Sequence, residues 1–324
     1  MQIGVYGAGY LGTVISACLA DFGTPVTCCH PDSSRMVEMA QGKVPFHEKN
    51  LSEVIRRNVR SGRLAYSTDV ESFARKSGVI FLAEDNSQHL ADLTVRIAKA
   101  VTKPPILVIV TPVSVGTGTA LEKKLHEAGL KATIVSQPMF FTAGCAVEDF
   151  NWPDRIVLGT SSNDAVLAIK QIFHPLVMRG VPVIVTNHET AELVRESATA
   201  FVAAKISFIN ELAGLCEKVN GDAVHLSLAL GLDKKIGPRC LQAGAGMGGL
   251  FAQADMDSLA KLAQENNVEL KILSAAREVN HSQAEGLAEK ISACLNSLQN
   301  KDVGILGLSF KPNTNSVAGS GAVR

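Results

Sequence analysis

Two stretches of this sequence have the residue types that let a backbone close around a small molecule. Residues 7–12, GAGYLG, fit the spacing G-x-G-x-x-G, and residues 244–255, GAGMGGLFAQAD, open on Gly244, Gly246, Gly248 and Gly249. In the first, Gly7 suits a tight turn, Gly9 lets backbone approach a pyrophosphate, and Gly12 lets a helix lie close to a strand. With Tyr10 and Leu11 they form a candidate dinucleotide-phosphate turn. A helix starting there would turn its first amides and its partial positive charge toward the phosphates. In the second stretch the glycines permit backbone that a Cβ forbids. The loop then runs into Leu250, Phe251 and Ala252, whose side chains neither donate, accept nor attack.

A dinucleotide site of this type expects an acid at the end of the second strand, where it binds the adenosine ribose hydroxyls. That position is His30, with Asp32 two residues on. Three readings stay open. His30 or Asp32 substitutes as acceptor; or the run HPDSSR admits the 2′-phosphate of NADP through Ser33, Ser34 and Arg35; or the cofactor site is eroded.

Other chemistry is sparse. The seven cysteines (18, 28, 29, 145, 216, 240 and 294) make no paired framework and no C-x-x-C motif, which suits a reducing cytosol. The eight histidines show no metal-ligand spacing, so no metal is expected. Lys+Arg and Asp+Glu both total 31, so no net field draws in nucleic acid or an anionic membrane. The N-terminus lacks a basic flank and a cleavage site, and no apolar run approaches about 20 residues. The expectation is a cytoplasmic protein with no membrane or nucleic-acid partner.

The elements that would position the two glycine stretches can be read from hydrophobic period. MQIGVYGAG is a short apolar strand running into glycines, YLGTVISACLADFG has helical spacing, and PVTCCH is a second strand. Further strands are predicted at 78–83, 105–110, 132–137, 155–159 and 181–186. Several are continuous apolar runs, as in parallel strands covered on both faces. Helices are predicted at 89–101 and 164–177, giving an α/β, doubly wound parallel sheet of Rossmann type over residues 1–190. From Glu189 the period becomes helical without Gly or Pro until Gly214, with Phe201, Val202, Ile209, Leu212, Ala213 and Cys216 on one stripe. This predicts one long connecting helix, followed by helices near 222–230, 255–266 and 268–296. The run DVGILGLSFKPNTN (302–315) predicts a strand and a Pro-Asn turn.

With these residues in view, the sequence resembles the UDP-glucose/GDP-mannose 6-dehydrogenase family. The resemblance rests on AEL (191–193), AAKISFINELAGLCEKVNGD (203–222), GLDKKIG (231–237), AGAGMGG (243–249) and GLSFKPNT (307–314). It also rests on QGKVPFHEKNL (41–51), GRLAYSTD (62–69) and AVEDFNWPDRIVLG (146–159), and it runs from residue 1 to about 315. It implies an enzyme that oxidises a nucleotide-sugar C6 alcohol to a carboxylate with two NAD+. It also implies a helical dimerisation region over 191–300 and the first strand of a truncated nucleotide-sugar domain over 301–324.

That chemistry shows what the second glycine loop should contain. After one hydride leaves the alcohol, a thiolate must add to the aldehyde, giving a thiohemiacetal that can lose the second hydride and leave a thioester for water. The family places Ser-Cys-Phe-Pro-Lys between the glycines and an Asp; here the nucleophile falls at Phe251, and only Asp255 is retained. The resemblance aligns the catalytic lysine with Arg195, and an arginine keeps its charge too firmly to exchange a proton near neutrality. The asparagine one turn later becomes Thr199, the hydrolytic acid becomes Met139 beside Phe140, and a threonine becomes Pro112. The Thr-Pro pair that closes over NAD falls at Asn86 and Ser87, and Lys235 replaces an arginine that reaches the substrate across the dimer. Cys145 and Cys240 have no spacing that brings them to C6, and Lys205 reads more readily as a surface or interface cation than as a catalytic one. The reading is therefore a family member with impaired or absent catalysis. It would keep a dinucleotide-binding fold and a dimer surface, take NAD or NADP if the cofactor site survives, and pair with itself or with an active paralogue. The alternative is an active dehydrogenase of a UDP-glucose or GDP-mannose type sugar with altered, alcohol-to-aldehyde chemistry.

Overall fold

A computed structural model of the chain describes residues 2–84, 86–295 and 299–323; the side chains of Leu250 and Phe251 lie outside that description. The chain divides into two units, residues 1–195 and 196–324.

The first unit alternates strands and helices. Its first half holds β1 (Ile3–Tyr6), α1 (Tyr10–Asp21), β2 (Val26–Cys29), α2 (Ser33–Ala40), α3 (Leu51–Arg60), β3 (Leu64–Ser67), α4 (Val70–Lys76) and β4 (Val79–Leu82). There follow α5 (Leu90–Ala100), β5 (Ile106–Ile109), α6 (Thr117–Glu127) and β6 (Thr133–Ser136). The last stretch is α7 (Ala146–Asn151), β7 (Ile156–Gly159), α8 (Asn163–Ile172), α9 (His174–Val177) and β8 (Val183–Thr186).

The strands form one sheet in the order β3-β2-β1-β4-β5-β6-β7-β8. The order reverses between β1 and β4, which makes the crevice at their carboxyl ends the place where such sheets bind ligands. One departure from the expected parallel sheet occurs at β7, which meets β6 antiparallel through the pair Ser136 and Gly159; β8 then runs parallel to β7. Successive side chains on a strand face opposite sides, and the core divides accordingly. Val79 and Phe81 pack with α1, α3 and α8, whereas Ile80 and Leu82 pack with α4, α5 and α6. Full burial of a side chain such as Phe81 is worth about 1.5–3 kcal/mol.

The seven predicted strands of this unit are present. The eighth, β3, was not predicted, because its residues LAYS include no Val, Ile or Thr, the β-branched types that each of the other strands carries. It forms one end of the sheet, pairing with β2 from Val26 opposite Leu64 to Cys29 opposite Ser67.

The helix α10 (His188–Val219) runs from the first unit into the second, which continues with α11 (Ala223–Leu232), α12 (Leu250–Glu265) and α13 (Lys271–Leu295). By length and composition alone α10 could cross a membrane. In the second unit, however, its Ala203 and Ile209 are buried, the Ser207 hydroxyl donates to Ala276 O (2.8 Å), and Lys205 Nζ donates to Ile236 O and Arg239 O (3.1 and 2.8 Å). The predicted stripe is only partly a buried face: Ile209 is inside, but Phe201 is 70% exposed. Residues 302–308 form no strand, contrary to expectation; a strand needs a partner for its backbone groups, and the described part of the second unit holds no other strand. Leu306 is fully exposed there.

Candidate functional site

The carboxyl end of β1 carries the first glycine stretch. Gly7 has φ +127°, and a Cβ there would lie 2.0 Å from Ala83 O at the end of β4. A Cβ on Gly12 would lie 2.2 Å from Gly7 O, so α1 approaches the turn at a distance only glycine allows. Gly9 is the N-cap of α1, and no side chain caps it, which leaves the opening amides available to a ligand. The Thr13 hydroxyl folds back onto Gly9 O (2.7 Å) and fixes the turn. These features fit a dinucleotide pyrophosphate.

Tyr10 and Leu11 contribute backbone rather than side chains. Leu11 packs against the core, and Tyr10 OH donates to Glu48 Oε2 (2.7 Å). Burial and this carboxylate push the Tyr10 phenol well above its ordinary range. Glu48, itself buried, also accepts from Gly144 N and Ala146 N (2.9 and 2.8 Å), and so joins the start of α1 to the loop before α7.

His30 follows β2. The Asp32 N–H points at His30 Nδ1 (3.2 Å), so Nδ1 is already an acceptor and the neutral ring carries its proton on Nε2. As an acceptor replacing the family acid, His30 therefore fails in this tautomer; it offers a donor. Asp32 caps α2, its Oδ1 accepting from Arg35 N (3.0 Å). Arg35 Nε is buried and has no hydrogen-bond partner among the described residues, which suits a ligand beside it. Asn86 Oδ1 accepts from Gln88 N (3.0 Å), and Asn86 N donates to Glu84 Oε1 (3.1 Å). Asn86 thus caps the short turn at Ser87–His89. Sequence reasoning passed over Glu84, an acid one residue beyond Ala83 and hence beside the turn. Its signal was legible: AED at 83–85 ends an otherwise apolar strand.

At the ends of β5 and β6 lie the substituted positions Pro112 and Met139. Thr111, just before Pro112, donates its hydroxyl to Leu82 O and Glu84 O (3.1 and 2.9 Å). Met139 is half-buried and packs on the core. The Phe140 ring has the Arg155 guanidinium 3.7 Å from its centroid, so one face of the ring is already occupied.

A second buried carboxylate holds this region. Glu192, at 6% exposure, accepts from Gly116 N (2.7 Å), Gly118 N (2.8 Å) and the Ser136 hydroxyl (2.7 Å). It fastens the first turns of α10 to the loop before α6 and to β6. Ser136 has one proton and gives it to Glu192, so His188 Nδ1, 2.9 Å away, donates to Ser136 Oγ.

In the second unit the glycine loop is clamped from two helices. Asn210 Oδ1 accepts from Gly244 N (2.8 Å), and Asn280 both accepts from Met247 N (2.5 Å) and donates to Met247 O (3.0 Å). Gly246 and Gly249 have φ +93° and +103°, and a Cβ on Gly246 would lie 2.7 Å from Asn280 Oδ1. The helix α12 begins at Leu250, five residues before the predicted start, with Gly249 at φ +103° as its N-cap. The backbone of Phe251 is in its first turn; the Phe251 side chain lies outside the described residues. One turn on, Asp255 is buried and accepts from the Thr199 hydroxyl (2.9 Å), bringing two aligned positions together. Arg195 is half-buried at the end of the first unit. The Lys235 side chain is exposed, and its backbone N–H donates to Asp233 Oδ1 (2.9 Å). Cys145 caps α7 half-buried, and Cys240 is exposed with φ +63°. Among the described residues no three His, Cys, Asp or Glu side chains gather as a metal site.

Residues 1–177 match the NAD binding domain of the UDP-glucose/GDP-mannose dehydrogenase family, and residues 189–282 match its central domain. The UDP-glucose 6-dehydrogenase of Rhizobium meliloti (strain 1021) is 34% identical over 338 residues, covering 100% of this chain and 77% of that protein. UDP-glucose 6-dehydrogenase TuaD of Bacillus subtilis (strain 168) is also 34% identical, with 99% of this chain and 72% of that protein covered. Among solved structures, a UDP-glucose dehydrogenase from Pyrobaculum islandicum superposes with a TM-score of 0.92 at 28% identity, covering 99% of this chain and 77% of that one.

Proposed function

This chain belongs to the UDP-glucose/GDP-mannose dehydrogenase family, and on that premise we propose that it binds NAD and a nucleotide sugar but does not complete the oxidation to a uronate. The observation that carries the reading is the residue at 251. An aldehyde can give up a second hydride at a carbon that has first gained a nucleophile. Phe251 has no atom that can form that bond.

The remaining residues suit binding. Gly7, Gly9 and Gly12 leave room for the pyrophosphate, and the amides opening α1 meet its charge. NAD, when bound, supplies a hydride acceptor. Thr199 and Asp255 hold one another at 2.9 Å and would orient a sugar hydroxyl. Arg195 would supply fixed positive charge without exchanging a proton. Met139, a thioether, cannot activate water for thioester hydrolysis. Lys235 keeps a charge for a substrate phosphate but loses the two-point fork of arginine.

The second reading, a dehydrogenase that stops at the aldehyde, draws on the same Thr199–Asp255 pair. In either case the central helices would pair with another copy or with an active paralogue. Phe201, Phe208 and Leu215, seven residues apart along α10, are 70%, 56% and 55% exposed and form a line suited to a partner helix. Incubation of the purified protein with UDP-glucose or GDP-mannose and NAD+, followed by quantification of NADH and of uronate, tests the proposal. Two NADH per sugar would end it. One NADH per sugar with trapped aldehyde would select the second reading.

A further inference from the structure

We infer that His30 abolishes the usual discrimination between the two nicotinamide dinucleotides, so that the site takes the 2′-phosphorylated form about as well as NAD. This rests on the proposed dinucleotide site and deepens it. Residue 30 is placed by the sheet: β2 lies beside β1 in parallel register, Tyr6 opposite Cys29, and Gly7 N donates to Cys29 O (3.0 Å). His30 is therefore the first residue beyond β2, alongside the phosphate turn, where this fold meets the adenosine ribose.

An acid there performs two tasks. It accepts from the 2′- and 3′-hydroxyls, favouring NAD, and its charge repels a 2′-phosphate. His30 performs neither. With Nδ1 accepting from Asp32 N–H (3.2 Å), the ring presents Nε2–H outward. A donor can serve a ribose hydroxyl oxygen or a phosphate oxygen alike.

The surrounding charges do not restore the discrimination. Asp32 and Asp69 are near the strand end, but each is turned onto a helix: Asp32 Oδ1 takes Arg35 N (3.0 Å), and Asp69 Oδ1 takes Ser72 N (2.9 Å). Arg35, in the first turn of α2, has a buried Nε without a partner among the described residues and adds a compensating positive charge. The Ser33 and Ser34 hydroxyls, both exposed in the first turn of α2, supply donors compatible with a phosphate. The loss is thus of a preference, and the site becomes permissive without being inverted.

Calorimetric titration of the whole chain with NADH and with NADPH tests this without requiring turnover. The wild type should bind both, with dissociation constants within about tenfold of each other. His30→Asp should bind NADH at least about 100-fold more tightly than NADPH, whereas His30→Ala, which adds no carboxylate, should keep the two within about tenfold. A wild type that prefers NADH by 100-fold overturns the inference, as does a His30→Asp protein that binds both equally. Binding of NADH alone overturns only the inference; failure of both dinucleotides to bind overturns the cofactor site with it.

Discussion

Glu192 is the place where the structure makes its sharpest quantitative demand. Its carboxylate receives two backbone amides and one hydroxyl, and it joins α10 to the loop before α6 and to β6. Glu192→Ala would strand Gly118 N and the Ser136 hydroxyl, both buried; Gly116 is half-buried, so water can reach its amide. A buried donor left unpaired costs about 1–3 kcal/mol, with about 2 kcal/mol at the centre of that range. Two such losses give about 4 kcal/mol, a large share of the roughly 5–15 kcal/mol of a typical fold. Glu192→Gln keeps one acceptor oxygen but turns an NH2 toward a donor, for a cost of about 2 kcal/mol. Urea unfolding followed by circular dichroism, with a slope near 2 kcal/mol/M, should show the alanine midpoint about 2 M lower and the glutamine midpoint about 1 M lower. If both variants unfold within about 0.3 M of wild type, Glu192 is not the fastening described.

Gly7→Ala should fold poorly or lose dinucleotide binding altogether, since its methyl would overlap Ala83 O at 2.0 Å in a φ +127° backbone; calorimetry with NADH beside a melting curve separates the two, and tight binding by a stable variant would contradict the geometry. Asp21 concerns acid stability. Burial alone would raise its carboxyl, but hydrogen bonds from Arg57 and Asn58 and the guanidinium charge bring it below its ordinary value of 3.8. A lowered folded pKa means that its stabilisation is whole above the unfolded value and is lost as pH falls through the folded one. Asp21→Asn should therefore destabilise the protein at neutral pH and show a flatter decline than wild type between about pH 4 and 2, whereas parallel declines would exclude the pair from acid unfolding.

How far the sequence reaches depends on the distance over which a residue finds its partner. The turn at Gly7, Gly9 and Gly12 was legible because the strand, glycines and helix that define it are contiguous. The long helix α10 was legible from its period. The carboxylates Glu48 and Glu192 were not, since they bond residues between 38 and 98 positions away, and a buried acid looks like any other acid in a sequence. The strand β3 escaped notice because LAYS contains no β-branched residue, the type that marks the other strands. Conversely, residues 302–308 have the composition of a strand and no strand to pair with among the described residues of the second unit. His30 shows a finer limit: its place could be read from spacing, but its role as donor follows only from the Asp32 N–H at 3.2 Å.

The reading as a binding protein with incomplete chemistry comes down to whether a sugar carbon is ever oxidised twice. Mass spectrometry of the nucleotide-sugar pool after prolonged incubation of the protein with UDP-glucose and with GDP-mannose, each with NAD+ and with NADP+, addresses it directly. The expected spectrum holds unchanged sugar, or at most aldehyde, for the wild type, and still no uronate for Phe251→Cys, because Met139 and Arg195 remain unable to serve. Uronate formed by the wild type in stoichiometry with two reduced cofactors would contradict the account.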